Sequence, residues 1–134
     1  MKKTILLLFT LITTLGFSQD SKVEIPTIAV KVALGELVII NDVTLEFIEV
    51  LEDSRCPKDV TCVWAGQAKV LVQVTEAGKS SQQVELLFGG NKDNLLFASE
   101  EFNLKGISLS PYPTSETVGK LDYVLLVSEV KKQD

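Results

Sequence analysis

The chain has 134 residues, enough for one domain with one core and too few for two of ordinary size. A hydrophobic content of 46% excludes an intrinsically disordered chain, and a net charge of −5 sets it against nucleic acid and anionic lipid. With no histidine and two cysteines that an oxidising compartment would pair, Ser-His and Cys-His nucleophilic designs are excluded as well.

Met1-Lys2-Lys3 is a short basic start, and Ile5 to Leu15 is an apolar run interrupted only by threonines. Gly16 and Ser18 are small residues suited to a cut after Ser18. This is the three-part pattern of a secretory signal peptide, and the run is shorter than the roughly 20 apolar residues of a membrane span. The expected organisation is a signal peptide over 1–18 and a single secreted domain over 19–134, periplasmic or extracellular, with no membrane span after cleavage. Lys2 and Lys3 leave with the leader, so 13 cationic side chains become 11 against 18 acids, a net charge of −7.

Thr27 to Leu34 alternates, with Ile28, Val30, Val32 and Leu34 on one side, and predicts a half-buried strand. Gly35-Glu36 forms a turn, Leu37 to Ile40 a short β-branched strand, and Asn41-Asp42 the next turn. Val43 to Glu52 is a longer strand whose apolar phase slips. Val43, Leu45 and Phe47 share one face, and Ile48 and Val50 take the other. The slip predicts either burial on both faces or a bulge near Phe47. Gln67 to Glu76, the turn at Ala77-Gly78-Lys79-Ser80, and Gln82 to Phe88 read as a hairpin, with Ala68, Val70, Val72, Val74, Val84, Leu86 and Phe88 inward.

After a polar loop at 89–94, Leu95 to Ala98 is a short strand. In the next strand Phe102 and Leu104 share one parity and Ile107 and Leu109 the other, with Gly106 between them as a natural bulge. Pro111-Tyr112-Pro113 ends that strand, because proline has no N–H for a ladder. Thr114 to Lys120 is a surface loop. Leu121 to Val130 is apolar on both parities, the mark of a central strand. No segment has helical periodicity over three turns. The expectation is an all-β fold, an antiparallel β-sandwich that is immunoglobulin-like in the loose sense, with seven to eight strands and one disulfide.

The unusual residues concentrate in Asp53 to Ala68, which holds both cysteines, the only arginine and the only tryptophan. Export places Cys56 and Cys62 where paired cysteines bond. A redox pair would have Cys-x-x-Cys spacing, and a structural zinc site would need four ligands, so a structural disulfide is favoured. Trp64 either fills the core against that disulfide, the favoured reading, or anchors a partner at the surface. Arg55 has a planar fork suited to a bidentate partner, and Asp53 or Glu52 would serve. The sharper alternative has Arg55 meeting an external carboxylate or a protease. Lys58, Asp59 and Thr61 stand at the loop tip, better placed to meet a partner.

Asp53-Ser54-Arg55-Cys56-Pro57, followed by Val60-x-Cys62-Val63-Trp64-Ala65-Gly66-x-Ala68, resembles a signature of small exported bacterial proteins of uncharacterised function. The Tyr123-x-x-x-Val127 pattern is similar too. The resemblance implies a small exported domain over most of the mature chain and imports no activity.

Other sites carry little. Glu46, Glu49, Glu52 and Asp53 are close in sequence, yet Glu46 and Glu49 have opposite strand parity, and such residues are usually a solvated face. Asn91-Lys92-Asp93-Asn94 offers oxygen ligands without the order of a calcium-binding loop, and reads as a turn. Cofactors, metals and catalytic residues are therefore expected to be none. The expected function is that of a monomeric, exported, non-catalytic binding domain. Its candidate loop comprises Arg55, Lys58, Asp59, Thr61 and Trp64, and its expected partner is an extracytoplasmic protein, in one version a protease that the domain inhibits. The alternatives are a purely structural accessory domain of the cell envelope and, ranked last, a carboxylate-based hydrolase.

Overall fold

The computed structural model describes residues 28–117 and 121–132. The expected signal peptide, its cut, the lead-in through Thr27 and residues 118–120 of the surface loop lie outside the described residues. Eight strands follow in order: β1 (Ile28–Ala33), β2 (Leu37–Ile40), β3 (Val43–Asp53), β4 (Ala68–Glu76), β5 (Gln82–Phe88), β6 (Leu95–Ala98), β7 (Phe102–Ser110) and β8 (Val124–Lys131). They form two four-stranded sheets, β1-β8-β7-β6 and β2-β3-β4-β5, with every pair antiparallel. No helix occurs among the described residues, and none there is long and apolar enough to cross a membrane. The fold is the expected all-β sandwich, with β8 in the expected central position between β1 and β7.

The inward faces of the two sheets supply the core. Leu45, Phe47, Val70, Val72 and Leu86 from one sheet meet Val32, Leu104, Leu125 and Val127 from the other, all essentially excluded from water. Each such side chain contributes about 1.5–3 kcal/mol by burial, which is why a period-two pattern suffices to specify the faces. β1 departs from its pattern. Val32 is buried and Val30 packs against the core, while Ile28 and Leu34 are exposed. β1 is an edge strand paired only with β8, so its ends are open on one side.

Bulges decide which residues face inward along β3 and β7. In β3 the register with β4 slips between Phe47 and Glu49, as the apolar phase predicted, and again between Val50 and Glu52. The first slip turns Val50 inward, opposite buried Val70. The second reverses the parity and sets Asp53 opposite buried Ala68. In β7 the slip lies between Gly106 and Ser108, where glycine had suggested it. Ile107 is the extra residue and is exposed, not core as its parity with Leu109 implied. At Gly106 a Cβ would press on Leu86 of the opposite sheet, so glycine there also serves sheet packing.

Candidate functional site

The segment from Ser54 to Gln67 extends the β3–β4 hairpin beyond its strands. Ser54 N–H donates to Gln67 O at 2.8 Å and Cys56 N–H to Ala65 O at 2.8 Å, so the ladder runs on to the base of the cysteine loop. Cys56 and Cys62 are bonded, with Cα atoms 5.9 Å apart, and Val60 N–H closes a turn on Pro57 O. Gly66 has φ 69°. A Cβ on it would run into the Ser54 carbonyl, so only glycine lets the two legs of the hairpin approach this closely.

Below the disulfide, Arg55 turns inward. Its side chain is 4% exposed and that of Asp53 is 9% exposed. Arg55 Nε donates to Asp53 Oδ1 at 2.7 Å and Nη2 to Asp53 Oδ2 at 2.8 Å, the bidentate pairing that a guanidinium allows and an ammonium does not. The remaining donors cross to the other sheet: Nη1 reaches Leu109 O at 2.8 Å and Nη2 reaches Pro111 O at 3.1 Å. The guanidinium lies 4.7 Å from the centre of the Tyr112 ring. Tyr123, just before β8, donates its hydroxyl to Asp53 Oδ2 at 2.9 Å. One buried ion pair thus ties β3 to the ends of β7 and β8.

Burial by itself would raise the Asp53 pKa. The hydrogen bonds from Arg55 and Tyr123 and the charge of Arg55 outweigh it and hold the carboxyl below its ordinary value. Tyr123 moves the other way. Burial, then the hydrogen bond to Asp53 and its negative charge, push the phenol up to about 12.

The loop is also held from outside. Lys58 N–H donates to Pro113 O at 3.0 Å. The Asp59 carboxylate accepts from Ser115 N–H at 2.8 Å and from the Ser115 hydroxyl. The two Ser115 hydrogen bonds hold the Asp59 pKa below its ordinary value. Asp59 therefore fastens the tip to the segment after β7.

The five loop residues read from the sequence part company here. Arg55 is buried and engaged with Asp53, so the external-carboxylate reading fails for want of access. Lys58, Asp59 and Thr61 are exposed. Trp64 points away from the disulfide-backed core and is 78% exposed, a correction of the favoured core reading. The disulfide lies in the connection beyond Asp53 and Ala68, the last paired residues of β3 and β4, and Trp64 is not among the side chains packed against the core. Val63, which the sequence did not single out, is 98% exposed, and Val60 is exposed as well. A shallow, mainly apolar groove of about 230 Å³ lies at the base of the loop, bordered by Phe88, Ile107, Leu109 and Tyr112 with Arg55 in its wall.

Tyr112, Ser115 and Tyr123 were also missed as partners of the loop. They lie 56 to 70 residues from theirs, and the Pro-Tyr-Pro run read only as a strand end. In the 89–94 loop, Asn94 is bonded through its side chain to both Leu87 N–H and Leu87 O, and Asp93 pairs with Lys105. Both are used as structural groups. Among the described residues no three acidic or cysteine side chains are grouped so as to hold a metal ion. No family model, no curated protein and no solved structure matches the chain.

Proposed function

We propose that the protein is an exported, monomeric, non-catalytic binding domain whose β3–β4 connection, braced by the Cys56–Cys62 disulfide, inserts Val63 and Trp64 into an extracytoplasmic protein partner. The observation that carries this reading is a tryptophan 78% exposed beside a valine 98% exposed, directly after Cys62 on the return leg of a hairpin that the disulfide braces. Large apolar side chains are costly to leave in water, and tryptophan is prominent among residues that dominate binding energy. The buried Asp53–Arg55 pair, the disulfide and the Asp59–Ser115 clamp fix the loop before any partner arrives, which lowers the entropy lost on docking. Insertion into the cleft of an extracytoplasmic protease, as an inhibitor, is one form that such a preorganised loop takes.

The test is capture and photo-cross-linking from envelope and secreted fractions of the source cells. The bait carries a photoactivatable residue at Lys58, with and without the double change Val63→Ser and Trp64→Ser. Both baits must first show the same melting curve. A protein that cross-links to the parent bait and is lost from the double variant supports a recognition loop. Equal recovery on both baits would make the loop a folding staple and return the domain to the structural class.

A further inference from the structure

Each sheet has two edge strands, and among the described residues three of these four carry a feature that discourages a further strand. β1 has the exposed Lys31, β5 has the exposed Glu85, and β6 pairs with β7 through a register slip. β2, Leu37-Val38-Ile39-Ile40, has no charged residue, no proline and no slip against β3. Its backbone bonding follows from the register. The two-residue turn Asn41-Asp42 closes on the pair Ile40 and Val43, and further along Phe47 N–H donates to Glu36 O at 3.2 Å. Bonded pairs alternate along an antiparallel ladder, so Glu36, Val38 and Ile40 turn their backbone groups toward β3. Leu37 and Ile39 turn theirs to the open edge, where no described strand pairs with them. The same two residues expose their side chains, to 54% and 68%. Two N–H donors, two carbonyl acceptors and two aliphatic side chains thus stand in one row.

Such a row is matched by an extended strand, whose own donors and acceptors recur at the same spacing. Charge selects the strand. Glu36 and Asp42 flank β2, Glu46 stands opposite Leu37, and the chain carries no cation between Lys31 and Arg55. A second copy would bring the same acids to the same edge, where like charges repel. We propose that β2 is a docking edge for an extended segment of a protein partner, with aliphatic residues flanked by Lys or Arg, which adds a fifth strand to the sheet β2-β3-β4-β5. The partner residues opposite Leu37 and Ile39 lie on the outer face and cover those side chains. The residue between them comes beside Val38, which packs against the core, and is apolar for that reason. β2 pairs with the start of β3, whereas the cysteine loop follows its end, so this edge does not depend on that loop's role.

The experiment titrates the protein with the peptide acetyl-Lys-Lys-Val-Val-Val-Lys-Lys-amide at low ionic strength, with amide chemical shifts to report the location. Two control peptides carry Glu in place of every Lys, or N-methyl groups on the first and third valines. Saturable binding of the parent peptide that moves the Leu37 and Ile39 amides is expected, and both controls should bind about tenfold more weakly or worse. Ile39→Pro removes only an outward N–H, which an edge strand tolerates, and should weaken binding by about tenfold. Ile39→Lys keeps every backbone bond to β3 and sets a like charge against the peptide, and it serves if Ile39→Pro does not fold. Absence of saturable binding, equal binding of either control, or an unchanged affinity in the folded variants would overturn the proposal. A dimer in sedimentation that Ile39→Lys dissociates would give the edge to a second copy and overturn it as well.

Discussion

The Tyr123 hydroxyl donates to Asp53 Oδ2 at 2.9 Å, across 70 residues of sequence and from one sheet to the other. Asp53 is at the same time the bidentate partner of Arg55, so one carboxylate is the meeting point of both sheets and the cysteine loop. Arg55→Ala leaves that carboxylate buried and short of its charge partner, and should cost about 3–5 kcal/mol of unfolding free energy. Tyr123→Phe leaves both Arg55 bonds in place and should cost about 1 kcal/mol. Urea denaturation of the two single variants and the double variant measures the coupling. Purely additive losses would show that the three groups do not act as a unit.

The same group predicts how stability depends on pH. Asp53 has a folded pKa below its ordinary 3.8, so its contribution is present above 3.8 and is lost as pH falls through the lower folded value. Tyr123 has a folded pKa raised from 10.0 to about 12, so its contribution is complete below 10.0 and is lost as pH rises toward 12. Melting curves across this range should show that the stability gap between wild type and Tyr123→Phe narrows above pH 10.0. A gap that stays constant into strong alkali would contradict the Tyr123–Asp53 bond.

Gly66 is the narrowest point of the loop. Gly66→Ala combines a positive φ with a clash on the Ser54 backbone, and backbone cannot move aside as a flexible side chain does. The expected loss exceeds the roughly 1 kcal/mol of an unstrained glycine replacement. Gly78→Ala, at φ 78° with open space around its Cβ, is the matched control and should be milder in the same thermal melts.

Trp64 is the only tryptophan, so its fluorescence reports one site. Native emission should lie close to that of indole in water, with acrylamide quenching nearly as efficient before unfolding as after. Trp64→Ala should change stability by no more than about 0.5 kcal/mol, against about 3–5 kcal/mol for a buried tryptophan. A blue-shifted native spectrum would place the ring back in the core.

The disulfide makes an independent contribution. Replacing Cys56 and Cys62 together by serine should cost about 2–3 kcal/mol, mostly by releasing the unfolded chain. Wild-type protein isolated without reductant should take up no iodoacetamide, and free alkylation would show that the thiols are not paired.

Much of this architecture is written locally. Period-two runs decide the faces of β4, β5 and β8, because a one-residue slip would put a whole strand's apolar set in water. The phase slip at Phe47 and the glycine at 106 mark two of the bulges by the same logic. The lone arginine next to an aspartate two residues away marks the ion pair, since only a guanidinium profits from a planar fork. Three features were decided only by the assembled fold. The second bulge in β3, between Val50 and Glu52, left no trace in the apolar pattern, yet it alone turns Asp53 inward toward Tyr123. The outward course of Trp64 follows from the hairpin extending past the sheets, which no run of residues encodes. The carboxylates Asp42, Glu101 and Glu129, which line one open cleft, come from the β2–β3 turn, the β6–β7 turn and β8, and only sheet packing brings them together. The physical reason is common to all three. Alternation and turn chemistry act between neighbours in sequence, whereas a bulge's consequence, an exposed loop or a shared cleft depends on which distant backbone lies opposite.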